Sequence, residues 1–282
     1  MTSASNPYFG RDHITVVKPT RGWRLLPLRE LWEYRELLRA LAVRDLRVRY
    51  KQTVLGVAWA IIQPLVLMAI FSFFFGRLAR FPSGGVPYPV FVFSALVPWT
   101  FFSSSVSASA LSLVESAHLV SKVYFPRIVV PLASIGSLLV DLAISTAILL
   151  GMLRYFGVAW TPNLLLAPLV IGMVVVLALG IGTFLCALTV TYRDFRYVVP
   201  VLLQTWMFAT PVAYPESVVP DRWLWLLRLN PMTGLIDAAR SAFLGWPIPW
   251  DSLAWASLPA TALLLIGLTY FDRVERRFAD LI

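Results

Sequence analysis

One cysteine, two histidines and few charges set the first limits on this 282-residue chain. Cys186 is alone, so neither an intrachain disulfide nor a cysteine-based metal centre is available. Its place inside an apolar run fits a small packed side chain. His13 and His118 lie far apart on polar segments, and no His, Cys or acidic residues recur at metal-ligand spacing. No Gly-x-x-x-x-Gly-Lys-Ser/Thr run occurs, so the chain cannot cradle ATP through a P-loop. The first thirty residues lack an apolar core and a small-residue cleavage site, which argues for an N-terminus that stays in the cytoplasm. Heptads, low-complexity tracts and a clear internal repeat are missing too, which counts against inverted-repeat carriers.

Charged residues make up 14% of the chain and hydrophobic ones 59%, an imbalance foreign to soluble domains. Apolar stretches fill residues 55–75, 90–111, 129–153, 164–190, 197–213 and 253–271. Each approaches the roughly 20 residues that a helix needs to cross a hydrocarbon core, and the fifth is short. The expected fold is an all-α membrane protein with six transmembrane helices. Pro64 and Pro98 fall inside the first two spans, where neighbouring groups can re-satisfy the freed carbonyls.

The charges fix an expected orientation. With the N-terminus inside, eighteen of the 24 Lys and Arg fall on cytoplasmic pieces. Six fall outside: Arg77, Arg80, Arg154, Arg222, Arg228 and Arg240. That bias predicts a multi-pass inner-membrane protein with both termini cytoplasmic, and it explains the net charge of +9 without nucleic acid.

The chain divides into an irregular N-terminal extension (1–27), an amphipathic segment (28–53), the six-span region (54–271) and a cytoplasmic tail (272–282). In the amphipathic segment Leu31, Tyr34, Leu38 and Leu41 recur at helical spacing, with Arg35, Arg39, Arg44 and Arg47 mostly off that stripe. Such a helix lies in the membrane interface with its arginines toward anionic headgroups, or packs on a cytosolic partner. The connector from Glu115 to Arg127 contains His118, Lys122 and Tyr124 and stops at Pro126. It reads as a short helix on the inner surface, either a plain connector or a lever for a cytosolic partner. Arg193 and Asp194, in the next cytoplasmic loop, are placed to touch the same partner.

Residues 223–246 are apolar but carry Arg228, Asp237 and Arg240, and Asn230-Pro231 breaks them early. Two short helices that dip into the bilayer and return fit this pattern, as does an interfacial loop helix. Asp141 sits near the middle of the third span. With no second acid within the other spans for a proton relay, a helix–helix hydrogen bond is the favoured reading. Trp59, Trp206 and Phe208 lie within spans, where an interfacial belt explains them poorly. Core packing is one reading, and an aromatic face along which sugar rings slide is the other.

The run Arg44-Asp45-Leu46-Arg47-Val48-Arg49-Tyr50-Lys51-Gln52-Thr53-Val54-Leu55-Gly56-Val57-Ala58-Trp59, closing on Gln63-Pro64, resembles the entry to the first span in permeases of type-2 ABC exporters. The polysaccharide branch, for O-antigen, capsule and teichoic acid, is the most similar. Phe125-Pro126-Arg127, Tyr192-Arg193-Asp194 and Asn230-Pro231 follow in the same order as in that family. The resemblance implies a homodimer with two copies of a separate ATPase that holds ATP and Mg, so this chain needs no cofactor of its own. It implies a coupling helix at residues 115–124, re-entrant helices at 223–244, and a channel lined by the first and fifth spans. The cargo it implies is a lipid-linked glycan, whose pyrophosphate Arg47, Arg49 and Lys51 would attract. A permease for a drug or another lipid shares this architecture. A membrane enzyme acting on lipid-linked sugars would have only Glu216, Asp221 and Asp237 as outer acids.

Overall fold

The computed structural model describes residues 28–51, 58–123, 125–275 and 278. The extension 1–27, the entry 52–57 of the first span, Tyr124, residues 276–277 and the last four residues lie outside the described residues. Everything regular among the described residues is helical.

Helix α1 (Leu28–Glu33) runs through a one-residue break into α2 (Arg35–Lys51), the basic amphipathic element. Helix α3 (Ala58–Phe71) continues as a wide π-type stretch, Ser72–Leu78. The chain turns at Arg80, whose φ of 54° is left-handed, and Pro87 opens α4 (Tyr88–Glu115). A short α5 (Ala117–Lys122) leads to α6 (Val129–Tyr155). A 3-10 turn, Pro162–Leu166, precedes α7 (Ala167–Thr191). Then come α8 (Phe195–Phe208), α9 (Asp221–Leu229), α10 (Pro231–Leu244) and α11 (Trp250–Glu275).

Among the described residues, five helical stretches are long and apolar enough to cross a membrane: Ala58–Leu78, Tyr88–Glu115, Val129–Tyr155, Pro162–Thr191 and Trp250–Glu275. They coincide with the first, second, third, fourth and sixth expected spans. The expected fifth span is α8, and it is 14 residues long. At about 1.5 Å per residue it covers roughly 21 Å of a core about 30 Å thick.

Helix α4 is the central post. Val90 to Trp99 is buried on every side, and α4 packs most extensively on α7 and α6, then on α10 and α3. Its sequence permits this because Ser94, Ala95, Ser105, Ser109, Ala110 and Ser112 let other backbones approach closely. Several hydroxyls return to their own helix: Ser94 Oγ donates to the Phe91 carbonyl (2.8 Å) and Ser112 Oγ to that of Ser109 (2.8 Å). The seam between α7 and α11 is closer still. An ideal Cβ on Gly267 would meet the Gly180 carbonyl oxygen at 2.1 Å, and one on Gly180 would meet the Leu264 nitrogen at 2.5 Å.

The core has two ends. One, built from Leu41, Leu113, Val120, Phe125, Val129, Phe271 and Phe278, gathers α2, α5 and the adjoining ends of α4, α6 and α11. The larger core runs from the middle of the bundle to the opposite end, where α10 is buried almost throughout. Helices α3 and α8 flank α4, and each leaves a long apolar face uncovered.

Candidate functional site

At the α2 end, α2 lies along the first half of α6. Leu41 is buried and Leu38 half-buried in the core beneath, which is the apolar stripe doing what its spacing predicts. Polar contacts then fix the register. Ser134 Oγ donates to Asp45 Oδ2 (3.3 Å), and Arg44 binds Asp45 Oδ1 (2.8 Å) and Ser116 Oγ (3.3 Å). Arg49 Nη1 donates to Asp141 Oδ2 at 2.7 Å, and the Tyr50 hydroxyl donates to Asp141 Oδ1. Asp141 therefore makes the expected helix–helix contact, but with α2 and as an ion pair. Arg49 and Asp141 remain 38% and 25% exposed, so water shares the cost of holding those charges. Burial, followed by the hydrogen bond and charge of Asp141, pushes the Tyr50 hydroxyl up to about 12, which keeps it a neutral donor.

Arg49 is thus engaged on the α6 side of α2. Arg47 and Lys51 point elsewhere, into a groove of about 680 Å³ that Arg39, Ala40, Val43, Arg44 and Val48 also line. Cations above apolar side chains suit an anionic headgroup over acyl chains. Glu115, His118 and Lys122 are exposed at or beside α5, and Arg193 and Asp194 are exposed just before α8. Tyr124 lies outside the described residues. A contact that sequence reading missed stiffens this end: Arg127 Nη1 donates to the Glu275 carbonyl, and its backbone N–H reaches Glu275 Oε1 (2.8 Å). Only the pairing of a basic loop residue with an acidic tail residue hinted at it.

Trp59 on α3 is 51% exposed, with Val66, Ile70, Phe73 and Phe74 along the same helix and its π-type extension. Phe208 on α8 is 57% exposed, with Tyr197, Val198, Val201 and Leu202. Uncovered apolar area on this scale needs lipid or protein against it. Trp206 differs from the other two aromatics. Its ring stands edge-on to Phe102 (5.3 Å), and its Nε1 donates to Asn230 Oδ1 (2.9 Å).

At the opposite end, α9 and α10 form a helix pair joined at Asn230-Pro231. Asn230 caps α10 by accepting from the Met232 N–H (3.0 Å), and its Nδ2 donates to Thr210 Oγ1 (2.8 Å). Pro231 supplies the fixed φ of the first helical position. Gly245, at φ 74°, closes α10 in the left-handed conformation that glycine adopts without strain. Trp223, Trp225, Leu226 and Leu229 leave α9 with an exposed amphipathic face. Asp237 is half-buried, and Arg240 is only 3% exposed. Glu216 sits on a 3-10 turn nearby, where burial first and the charge of Asp237 second push its carboxyl above the ordinary value.

The described residues thus form three zones. They comprise a tethered amphipathic helix with a short helix beside it, two uncovered apolar faces, and at the far end a helix pair of which α10 is buried and α9 exposed. The ABC-2 type transporter family model matches residues 36–244, from α2 to the end of α10. The O-antigen export system permease protein RfbA of Myxococcus xanthus is 32% identical over 90% of this chain and 98% of its own length. A Klebsiella pneumoniae protein of the same name is 27% identical over 88% of this chain and 95% of its own. The polysialic acid transport protein KpsM of Escherichia coli is 26% identical over 84% and 92%. With a family model spanning most of the chain and a relative matched along almost its entire length, the chain belongs to the ABC-2 type transporter family of membrane proteins.

Proposed function

We propose that this chain is the permease subunit of an ATP-driven exporter that moves a lipid-linked polysaccharide, of O-antigen, capsule or teichoic-acid type, across the inner membrane. It acts as a homodimer with two copies of a separate ATPase that holds ATP and Mg, and both termini lie in the cytoplasm. The near-complete match to an O-antigen export permease at 32% identity carries this reading.

The geometry supports a division of labour. Helix α2 is the interface helix. Residues 115–124 and the loop bearing Arg193 and Asp194 are the surface on which the ATPase presses. Motion there reaches α6 through the Arg49–Asp141 ion pair and Tyr50. ATP drives transport only by favouring one arrangement of these elements over another. The uncovered faces of α3 and α8 meet across the dimer and form the channel, with Trp59, Trp206 and Phe208 as its aromatics. In this arrangement α8 serves as the fifth of six spans. The groove on α2 attracts the pyrophosphate of the cargo through Arg47 and Lys51. The pair α9–α10 re-enters the membrane and caps the outer side.

The test is reconstitution of the purified chain with its partner ATPase. Glycan reaching the far side only when both proteins and ATP are present supports the proposal. Transport of a drug with no movement of glycan would reassign the cargo. ATP hydrolysis by the isolated chain, or product formation lost in both Glu216→Gln and Asp237→Asn without ATPase, would overturn it.

A further inference from the structure

Helix α8 is held very unequally at its two ends. Its first residue follows Tyr192, Arg193 and Asp194, all exposed, and Arg196 and Tyr197 are exposed as well. Along its length only Val199 and Leu203 are buried. Pro200, one turn in, has no N–H to give to the preceding turn, so bending is easiest there.

The other end is pinned by three side chains from elsewhere in the chain, Asn230, Arg240 and Tyr88. Trp206 donates to Asn230, and Asn230 donates to Thr210. Beyond Thr210 the helix has stopped, and residues 211–213 run as irregular backbone packed inside protein. Their carbonyls have no helical partner, and buried carbonyls require donors. Arg240 Nη2 supplies both Pro211 and Val212 at 3.0 Å each. The Tyr88 hydroxyl supplies Ala213. Three successive carbonyls are thereby captured from α10 and from the start of α4.

Arg240 is an expensive way to do this. Its guanidinium is buried and lies 3.9 Å from the centroid of the Phe91 ring on α4. The titratable groups in its electrostatic reach are Asp237 on its own helix, Tyr88 on α4 and Glu216 beyond α8. A buried cation whose hydrogen bonds go to neutral carbonyls is retained against a substantial desolvation cost. A planar guanidinium that stacks on an aromatic face while its Nη2 bonds two carbonyls is something lysine cannot reproduce.

We propose that Arg240 is the positioning residue that anchors the far end of α8, so that α8 works as a lever pivoting on residues 206–213 while its Arg196 end swings. The proposal rests on the transport reading above for what the swing accomplishes. The pivot itself follows from the contacts. Force applied at the Arg193–Asp194 loop then opens the α3–α8 face from that side first, and the packing of α10 on α4 stays intact.

The experiment uses the complete permease–ATPase assembly in a Cys186→Ala background. Spin-label pairs are placed at Arg196 with Val114, and at Ala209 with Trp250, all exposed positions. Distances are compared between nucleotide-free and ATP-trapped states. The first pair is expected to shift by several ångströms and the second by less than the label's own spread. In Arg240→Met the second pair should move as well, and glycan exported per ATP hydrolysed should fall roughly tenfold at equal membrane levels. Arg240→Lys should recover only part of it. Tyr88→Phe, which removes a single carbonyl partner and keeps the ring, gives a milder form of the same uncoupling if Arg240→Met fails to assemble. An Ala209 pair that moves as much as the Arg196 pair in the wild type overturns the pivot. So does Arg240→Met with a fixed Ala209 pair and wild-type export per ATP. Wild-type glycan export is scored separately and decides the cargo, so the two readings fail independently.

Discussion

Replacing Gly267 with alanine adds one methyl group to α11 at the place where it has no room. The added Cβ would sit 2.1 Å from the Gly180 carbonyl oxygen, 2.9 Å from its carbonyl carbon and 2.9 Å from Thr183 Oγ1. Ordinary carbon–oxygen contacts begin near 3.3 Å, so α7 and α11 must part by about 1 Å. A gap of that size forfeits up to about half of each dispersion contact along the seam. Overpacking of this kind costs about 3 kcal/mol, and alanine's better helix propensity returns about 1 kcal/mol. The net loss of about 2 kcal/mol corresponds to a drop of roughly 4–8 °C in Tm for a chain of this size. Gly151 and Gly172 are the controls. Each is exposed on a helix with nothing within 4 Å of its would-be Cβ, so alanine there adds helix propensity alone. Those variants should melt at or up to about 4 °C above the wild type. Thermal melts of the detergent-purified chain with a fixed concentration of partner ATPase decide the matter. The reasoning fails if Gly267→Ala melts within a degree or so of wild type, or if Gly151→Ala falls as far as Gly267→Ala.

Two further outcomes are expected. A double-mutant cycle with Arg49→Met and Asp141→Asn should give a coupling of about 1 kcal/mol, small because both partners are partly exposed, and the coupling should shrink as salt is raised. Additive single effects in the same melts would show the ion pair to be idle. The Glu216 carboxyl is raised above its ordinary 4.5 by burial first and the Asp237 charge second. The folded protein therefore binds that proton more tightly than the unfolded chain, and stability from this group is full below 4.5 and lost as pH rises through the raised value. Glu216→Gln should accordingly melt above wild type near neutral pH, with the gain fading toward pH 4. A gain independent of pH would refute that cause.

The apolar spans were legible because a helix in lipid must be apolar for its whole length, a property written residue by residue. Five of the six expected segments reappear as helices of spanning length. The amphipathic stripe of α2 was legible for the same reason, since Leu38 and Leu41 face the core. The break at Asn230-Pro231 was readable from cap chemistry alone. The length of α8 was misjudged because Ala209 to Ala213 is apolar without being helical. Hydropathy cannot distinguish a buried loop from a helix.

Sequence by itself determined that this chain lives in a membrane, that it is helical, and roughly where five of its long apolar helices lie. Each of those properties depends on short-range pattern and on the cost of exposing backbone to lipid. Only the tertiary structure decided that Asp141 pairs with Arg49, that Trp206 is a strut for Asn230, and that Arg240 reaches back across almost thirty residues to three carbonyl-bearing residues it holds with Tyr88. Such partners are separated along the chain and meet only when helices pack. No local pattern specifies which buried charge will find which acceptor, because the desolvation cost is local but the compensating contact is not.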